Sequence, residues 1–160
     1  TGARVMQGMI RRGDSQVIPA ALLLADLRGF TALVDRSPGK EVVGWLNQHL
    51  ECVGDAVTER GGEILKFLGD GLLAVFASDR IGTERACSDA VGAAVDARGR
   101  NAALNARRAA EGGSTLDLSI ALHFGDVVYG DLSYRLFERI KQRVLQLYAA
   151  RRLRAVAHSQ

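Results

Sequence analysis

The sequence has little that would commit it to a membrane, an oxidising compartment or a dedicated metal cage. Its 160 residues include two cysteines, Cys52 and Cys87, without the close pairs that a zinc site requires. Both fall in stretches with helical spacing, so reduced core thiols and a cytoplasmic location are expected. No apolar run approaches the roughly 18 residues of a membrane helix. The best candidate, 17–25, is short and carries Pro19. No basic-then-apolar leader opens the chain, so no secretory signal is read. An initiator methionine is missing too, which fits a fragment of a longer protein with room for an upstream regulatory domain. Aromatic and basic residues do not interleave, so no nucleic-acid partner is expected.

What remains is an ordinary globular composition. Hydrophobic residues make up 48% and charged residues 24% of the chain, which suits one folded domain over 1–160 rather than disorder. The formal charge is only +3. The positive charge gathers late, at Arg135, Arg139, Lys141, Arg143, Arg151, Arg152 and Arg154. Such a tail suits phosphates or simply a solvated helix face.

Periodicity orders the elements. Residues 17–25 read as a buried strand, and 41–59 as a helix with Val42, Val43, Leu46, Leu50, Val53 and Val57 on one side. Two strands at 64–67 and 72–76 flank the turn signal "LGDG". An Ala-rich helix follows at 86–110, then a strand pair within 116–133 broken at Gly125 and Gly130, then helical spacing over 134–154. Strands that arrive as hairpins favour an α/β sandwich, with a mixed or antiparallel sheet covered by helices.

Two stretches carry candidate chemistry: "LLADLRGFT" at 23–31 and "KFLGDGLLAVF" at 66–76. Asp26 closes an apolar strand, and Asp70 sits in the turn of an apolar hairpin. If the strands are neighbours, the two carboxylates meet at one edge of the sheet. Magnesium takes oxygen ligands, commonly one or two carboxylates plus substrate phosphates. Two such aspartates could hold ions against a triphosphate, with Gly29, Gly69 and Gly71 letting phosphate oxygens near the backbone. An Asp-Gly turn and a helix-capping aspartate have the same appearance. Spacing alone does not choose between them.

Three blocks in order, "LLADLRGFT", "GGEILKFLGDGLLAVF" and "IALHFGDVVYGDLS", resemble the catalytic domain of class III adenylate and guanylate cyclases over roughly residues 8–133. The resemblance implies a ferredoxin-like domain that pairs head to tail as a homodimer, with active sites at the interface. It implies that Asp26 and Asp70 bind two Mg2+ or Mn2+ ions per site, with the Leu27 carbonyl as a further ligand. Arg28, Gly29, Phe30 and Thr31 would form the turn facing the triphosphate. Lys66 falls where the purine is read; guanylate cyclases of the family typically carry glutamate there, so adenine is implied. The reaction would be attack of the ribose 3′-hydroxyl of ATP on the α-phosphorus, giving 3′,5′-cyclic AMP and pyrophosphate. His123 is expected to be a packed or hydrogen-bonded structural residue, and Trp45 and Phe76 core or interface.

The last third departs from the family pattern of "Asn-x-Ala-Ala-Arg". Aligning "LYAAR" with it puts Leu147 on the asparagine, Glu138 near the adenine-reading aspartate, and Arg151 on the arginine that stabilises the pentavalent phosphorus. A basic amphipathic helix over 134–160 is the other reading. Two functions follow: an adenylate cyclase, or a catalytically impaired cyclase-like module for dimerisation or regulation.

Overall fold

The computed structural model describes residues 15–35 and 37–130. In chain order they form β1 (Ser15–Arg28), α1 (Phe30–Val34), α2 (Gly39–Glu59), β2 (Glu63–Leu68), β3 (Gly71–Ala77), α3 (Thr83–Ala110) and β4 (Asp117–Gly130). Residues Ile18–Val127 make one compact unit, to which the following applies. The helix and strand sequence matches the expected order up to residue 116. Beyond it there is a correction: 117–130 is one strand, not a pair broken at Gly125. Glycine weakens a strand without being obliged to end it. The helical spacing of 134–154, and with it Glu138, Leu147 and Arg151, lies outside the described residues.

The four strands lie in the order β2-β3-β1-β4, and the sheet is antiparallel, as an α+β sandwich requires. Ala21 pairs with Phe76, Leu23 with Ala74 and Ala25 with Leu72. These six side chains share one face and form the core with Val53, Ala56 and Val57 of α2 and Ala86, Ala90, Ala93 and Ala97 of α3. The alternate residues Ile18, Ala20, Leu22, Leu73 and Val75 are buried as well. That explains the apolar run over 20–25, where both faces of β1 are covered, although Val17 and Pro19 before it are exposed.

Pro19 lies inside β1 without breaking it. Its carbonyl accepts from the backbone N–H of Ser78 at 3.0 Å and from Ser78 Oγ at 2.7 Å. Ser78 is one residue past the end of β3, so the N–H that proline lacks is missing where the ladder has already stopped.

The helices cover the core face with different means. On α2 the buried positions Val42, His49, Val53, Ala56 and Val57 follow helical spacing. On α3 the first half of them is alanine apart from Asp89, and these small side chains let this long helix lie close to the sheet. It stops where Gly112 takes φ 73° and the Gly113 N–H reaches back to the Arg108 carbonyl at 2.7 Å, a glycine-closed helix end. No described helix is long and apolar enough to cross a membrane.

Candidate metal and nucleotide site

The end of the sheet is built by the approach of β1 to β3. Their last paired residues are Ala25 and Leu72, and beyond them Asp26 adjoins Gly71. A Cβ on Gly71 would stand 2.4 Å from the carbonyl oxygen of Ala25 and 3.1 Å from Asp26 Oδ1. A side chain there forces something to shift. Glycine therefore allows the close approach that seats Asp70, its neighbour, beside Asp26. In the turn itself, Gly69 supplies a φ of 67°, a conformation that glycine takes without strain. Asp26 is exposed and Asp70 half-buried.

The structure thus brings the two sequence-predicted aspartates to one end of the sheet, with one correction. Asp26 does not close its strand: β1 continues to Arg28. Exposure alternates across this stretch, with Ala25 and Leu27 buried and Asp26 and Arg28 exposed. The carboxylate thus rides on a strand, held by the ladder. Gly29 then turns the chain with φ 70° into α1, where the Leu33 N–H meets the Gly29 carbonyl at 3.2 Å. Phe30 is half-buried and Thr31 exposed in that first turn.

Lys66 owes its position to an irregularity. Ile64 pairs with Ala74 and Lys66 with Leu73, so Leu65 is an extra residue in the ladder. Two residues apart on a regular strand share a face; the bulge instead puts Ile64 and Lys66 on opposite faces. Ile64 packs on the core. Lys66 is exposed on the face that Leu73, its partner Leu24, and hence Asp26 also occupy.

A contact that the sequence does not announce lies next to Asp26. Arg28 Nη1 is 3.6 Å from Asp117 Oδ2, with the two side chains 46% and 69% exposed. The pair joins the end of β1 to the start of β4. No local signal in the sequence could reveal it, because it depends on which strands are neighbours.

The residues present fit a hard divalent cation. Two carboxylates with the Leu27 backbone carbonyl nearby are an oxygen donor set, and the Gly71 approach keeps the strands that carry the carboxylates together. Among the described residues no group of three or more His, Cys, Asp or Glu is gathered. Magnesium completed by substrate phosphates and water does not need one.

The remaining candidates fall into place elsewhere. Of the two expectations for His123, packed or hydrogen-bonded, exposure on β4 corrects the packed one. The edge of its ring lies over Gly125, where a Cβ would stand 3.1 Å from His123 Nε2. Phe76 is core at 1% exposure, and Trp45 is half-buried with the Arg108 guanidinium 5.8 Å from its ring centroid. Cys52 and Cys87 are free and half-buried. Burial, opposed by Arg100 and Arg107, pushes the Cys52 thiol above its usual range, which disfavours the reactive thiolate.

A second polar cluster is internal. His49 of α2 is fully buried, and neither ring nitrogen has a hydrogen-bond partner among the described residues. Burial lowers its pKa to about 4; Asn101 opposes the fall and the charge of Arg108 adds to it. Arg108, itself buried, donates to Gln48 Oε1 at 2.6 Å. Asn105 and Asn101 hold the carbonyl of Leu116 at 2.8 and 3.0 Å, and the Leu116 N–H returns to Asn105 at 2.9 Å. This cluster fastens α3 to α2 and to the entry of β4.

Known proteins share this arrangement. The profile of the adenylate and guanylate cyclase catalytic domain matches residues 15–138. An adenylate cyclase of Anabaena cylindrica is 32% identical over 129 residues, 78% of this chain and 24% of its own length. The mouse protein adenylate cyclase type 10 is 27% identical over 144 residues, 83% of this chain and 9% of its own length. The chain therefore spans a quarter or less of these relatives. Among solved structures, the guanylyl cyclase Cya2 superposes with TM-score 0.66 at 30% identity, covering 77% of this chain and 61% of that one. The adenylyl cyclase CyaB from P. aeruginosa gives TM-score 0.70 at 22% identity, over 77% and 64% of the two chains, a likeness of fold. The profile match extends through both aspartate-bearing blocks, and the chain belongs to the family of adenylate and guanylate cyclase catalytic domains.

Proposed function

We propose that the chain is an adenylate cyclase domain that converts ATP to 3′,5′-cyclic AMP and pyrophosphate. The observation that carries the reading is the meeting of Asp26 with Gly71 and the Asp70 turn on the sheet face that Lys66 shares. Asp26, Asp70 and the Leu27 carbonyl hold the divalent ions, two Mg2+ or Mn2+ per site. Bound there, the ions supply polarisation of the ribose 3′-hydroxyl and neutralise charge developing at the α-phosphate. The turn Gly29-Phe30-Thr31 positions the triphosphate, so that the 3′-hydroxyl and the α-phosphorus meet in line. Lys66 donates to adenine N1, a ring acceptor; guanine presents a donor at the same position, which an ammonium group cannot satisfy. The working unit is a head-to-tail homodimer in the cytoplasm, and Arg151 is the residue assigned to the pentavalent phosphorus.

The second reading, a cyclase-like module with little turnover, is favoured by the chain after the family match ends at residue 138. There "LYAAR" stands in place of the asparagine-containing motif. An assay for cyclic AMP with Mn2+ separates the two. The enzyme reading expects activity that Asp70→Ala removes, and a preference for ATP over GTP that Lys66→Glu erodes. Wild-type activity no higher than that of Asp70→Ala selects the module.

A further inference from the structure

The outer side of α3 carries apolar surface that the core does not use. Ala86, Ala90, Ala93 and Ala97 turn one side of the helix to the core. On the other side Val91 and Val95 are 51% and 63% exposed, neighbours at the i, i+4 spacing of one helix face. Two exposed branched side chains in contact form a patch, unlike apolar residues scattered singly.

The charges around this patch give it a direction. Along one margin they are matched within the chain, Arg85 with Asp89 and Arg60 with Asp96. Glu84 and Arg98 are both exposed, and no ion pair joins either of them to another described residue. Each stands seven residues from Val91, one before it and one after, and seven residues are two turns, so all three share a face. Glu84 and Arg98 are about 21 Å apart along the helix, too far to meet within one chain. A second copy turned end for end about an axis beside Val91 brings its Arg98 to Glu84 and its Glu84 to Arg98. Val91 then meets Val91, and Val95 meets the small side chain of Ser88. A parallel partner would set like charges together.

We infer that the outer face of α3 docks a second copy of this chain, antiparallel and two-fold symmetric, through Val91, Val95 and two Glu84–Arg98 pairs between the copies. The helix covers the core face of the sheet, whereas Asp26 and Lys66 lie on the opposite face. The contact is therefore separate from one built around those residues, and it does not rest on the nucleotide reading. One helix face is a small interface and exposed pairs are weak, so the association is reversible and depends on concentration.

The test is disulfide trapping under mild oxidation, read on non-reducing gels, of Val91→Cys, Ala110→Cys and the wild type with its half-buried Cys52 and Cys87. Only an axis beside position 91 brings two thiols there within disulfide reach, so Val91→Cys should give covalent dimer at least about tenfold faster than either control. In the Val91→Cys background, Glu84→Arg and Arg98→Glu should each slow trapping about tenfold, because each turns two attractive pairs into two repulsive ones. The double reversal should return the rate to within about twofold of Val91→Cys. Charge effects confined to one chain give no such recovery. Val91→Cys trapped no faster than the controls overturns the proposal, and is the result expected if a different protein covers this face. A double reversal as slow as the single ones overturns it as well.

Discussion

Polar groups at the Asp26 end of the sheet and polar groups between α2 and α3 are arranged on opposite principles. At the sheet end, Asp26, Arg28 and Lys66 are exposed, Asp26 and Arg28 on a strand whose opposite-facing neighbours Ala25 and Leu27 are buried. Between the helices, His49, Asn101 and Arg108 are almost wholly buried; Asn101 donates to a backbone carbonyl and Arg108 to a side-chain amide. The first set faces water. The second has already given up its water, and its return is a fixed spacing of two helices. Polar side chains thus face solvent where the scaffold exposes them and tie elements together where it encloses them.

Four substitutions or conditions should pull these regions apart. The largest effect belongs to the shared core: Phe76→Ala should destabilise the fold by about 3–5 kcal/mol, read from denaturant unfolding, because Phe76 is almost inaccessible and packs beneath both helices. An unfolding midpoint close to wild type would show that the helices do not depend on this face. Next, Asp70→Ala should lower cyclic-nucleotide formation by about 10²–10³-fold, the usual scale for losing a charge-stabilising group, while leaving the melting temperature nearly unmoved. Loss of both activity and stability would erase the distinction drawn above.

Acidification should strike the helical layer. The pKa of His49 in the fold, about 4, lies below the ordinary imidazole value of 6.5. The neutral ring is therefore favoured by folding, its contribution is complete above pH 6.5, and it is lost as pH falls towards 4. Melting temperature should decline over that window, and more steeply than in His49→Asn. Parallel curves for the two proteins would remove His49 from the account. The smallest effect is expected at Arg60–Asp96, where Arg60 donates across 2.8 Å at the surface. Hydrogen bonding to Arg60 lowers the Asp96 pKa, yet both side chains are more than a third exposed. Asp96→Asn should scarcely shift the melting temperature, and less still in high salt.

Much of the fold was legible because its signals are local. The apolar run of β1, the helical spacing of α2 and the turn at Gly69 and Asp70 each depend on neighbours in sequence. The two aspartates were legible as a pair, since each ends or interrupts an apolar segment. What was hidden depends on register. The continuity of β4 through Gly125 and the Arg28–Asp117 contact follow from strand neighbours that no local pattern encodes. His49 was hidden for another reason: on a helical wheel it sits with Val42 and Val53, and a buried histidine differs from an exposed one only in what it faces.

The extra residue at Leu65 has a consequence for how this domain can change. In a regular strand, position 66 would share a face with Ile64 and answer to the core. The bulge frees it from that duty. A lysine, glutamate or other polar residue can occupy position 66 without disturbing the pairing of Ile64 with Ala74, so the side chain there can change while stability stays under separate selection. One inserted residue in an edge hairpin makes position 66 a surface position that answers to solvent and not to the core.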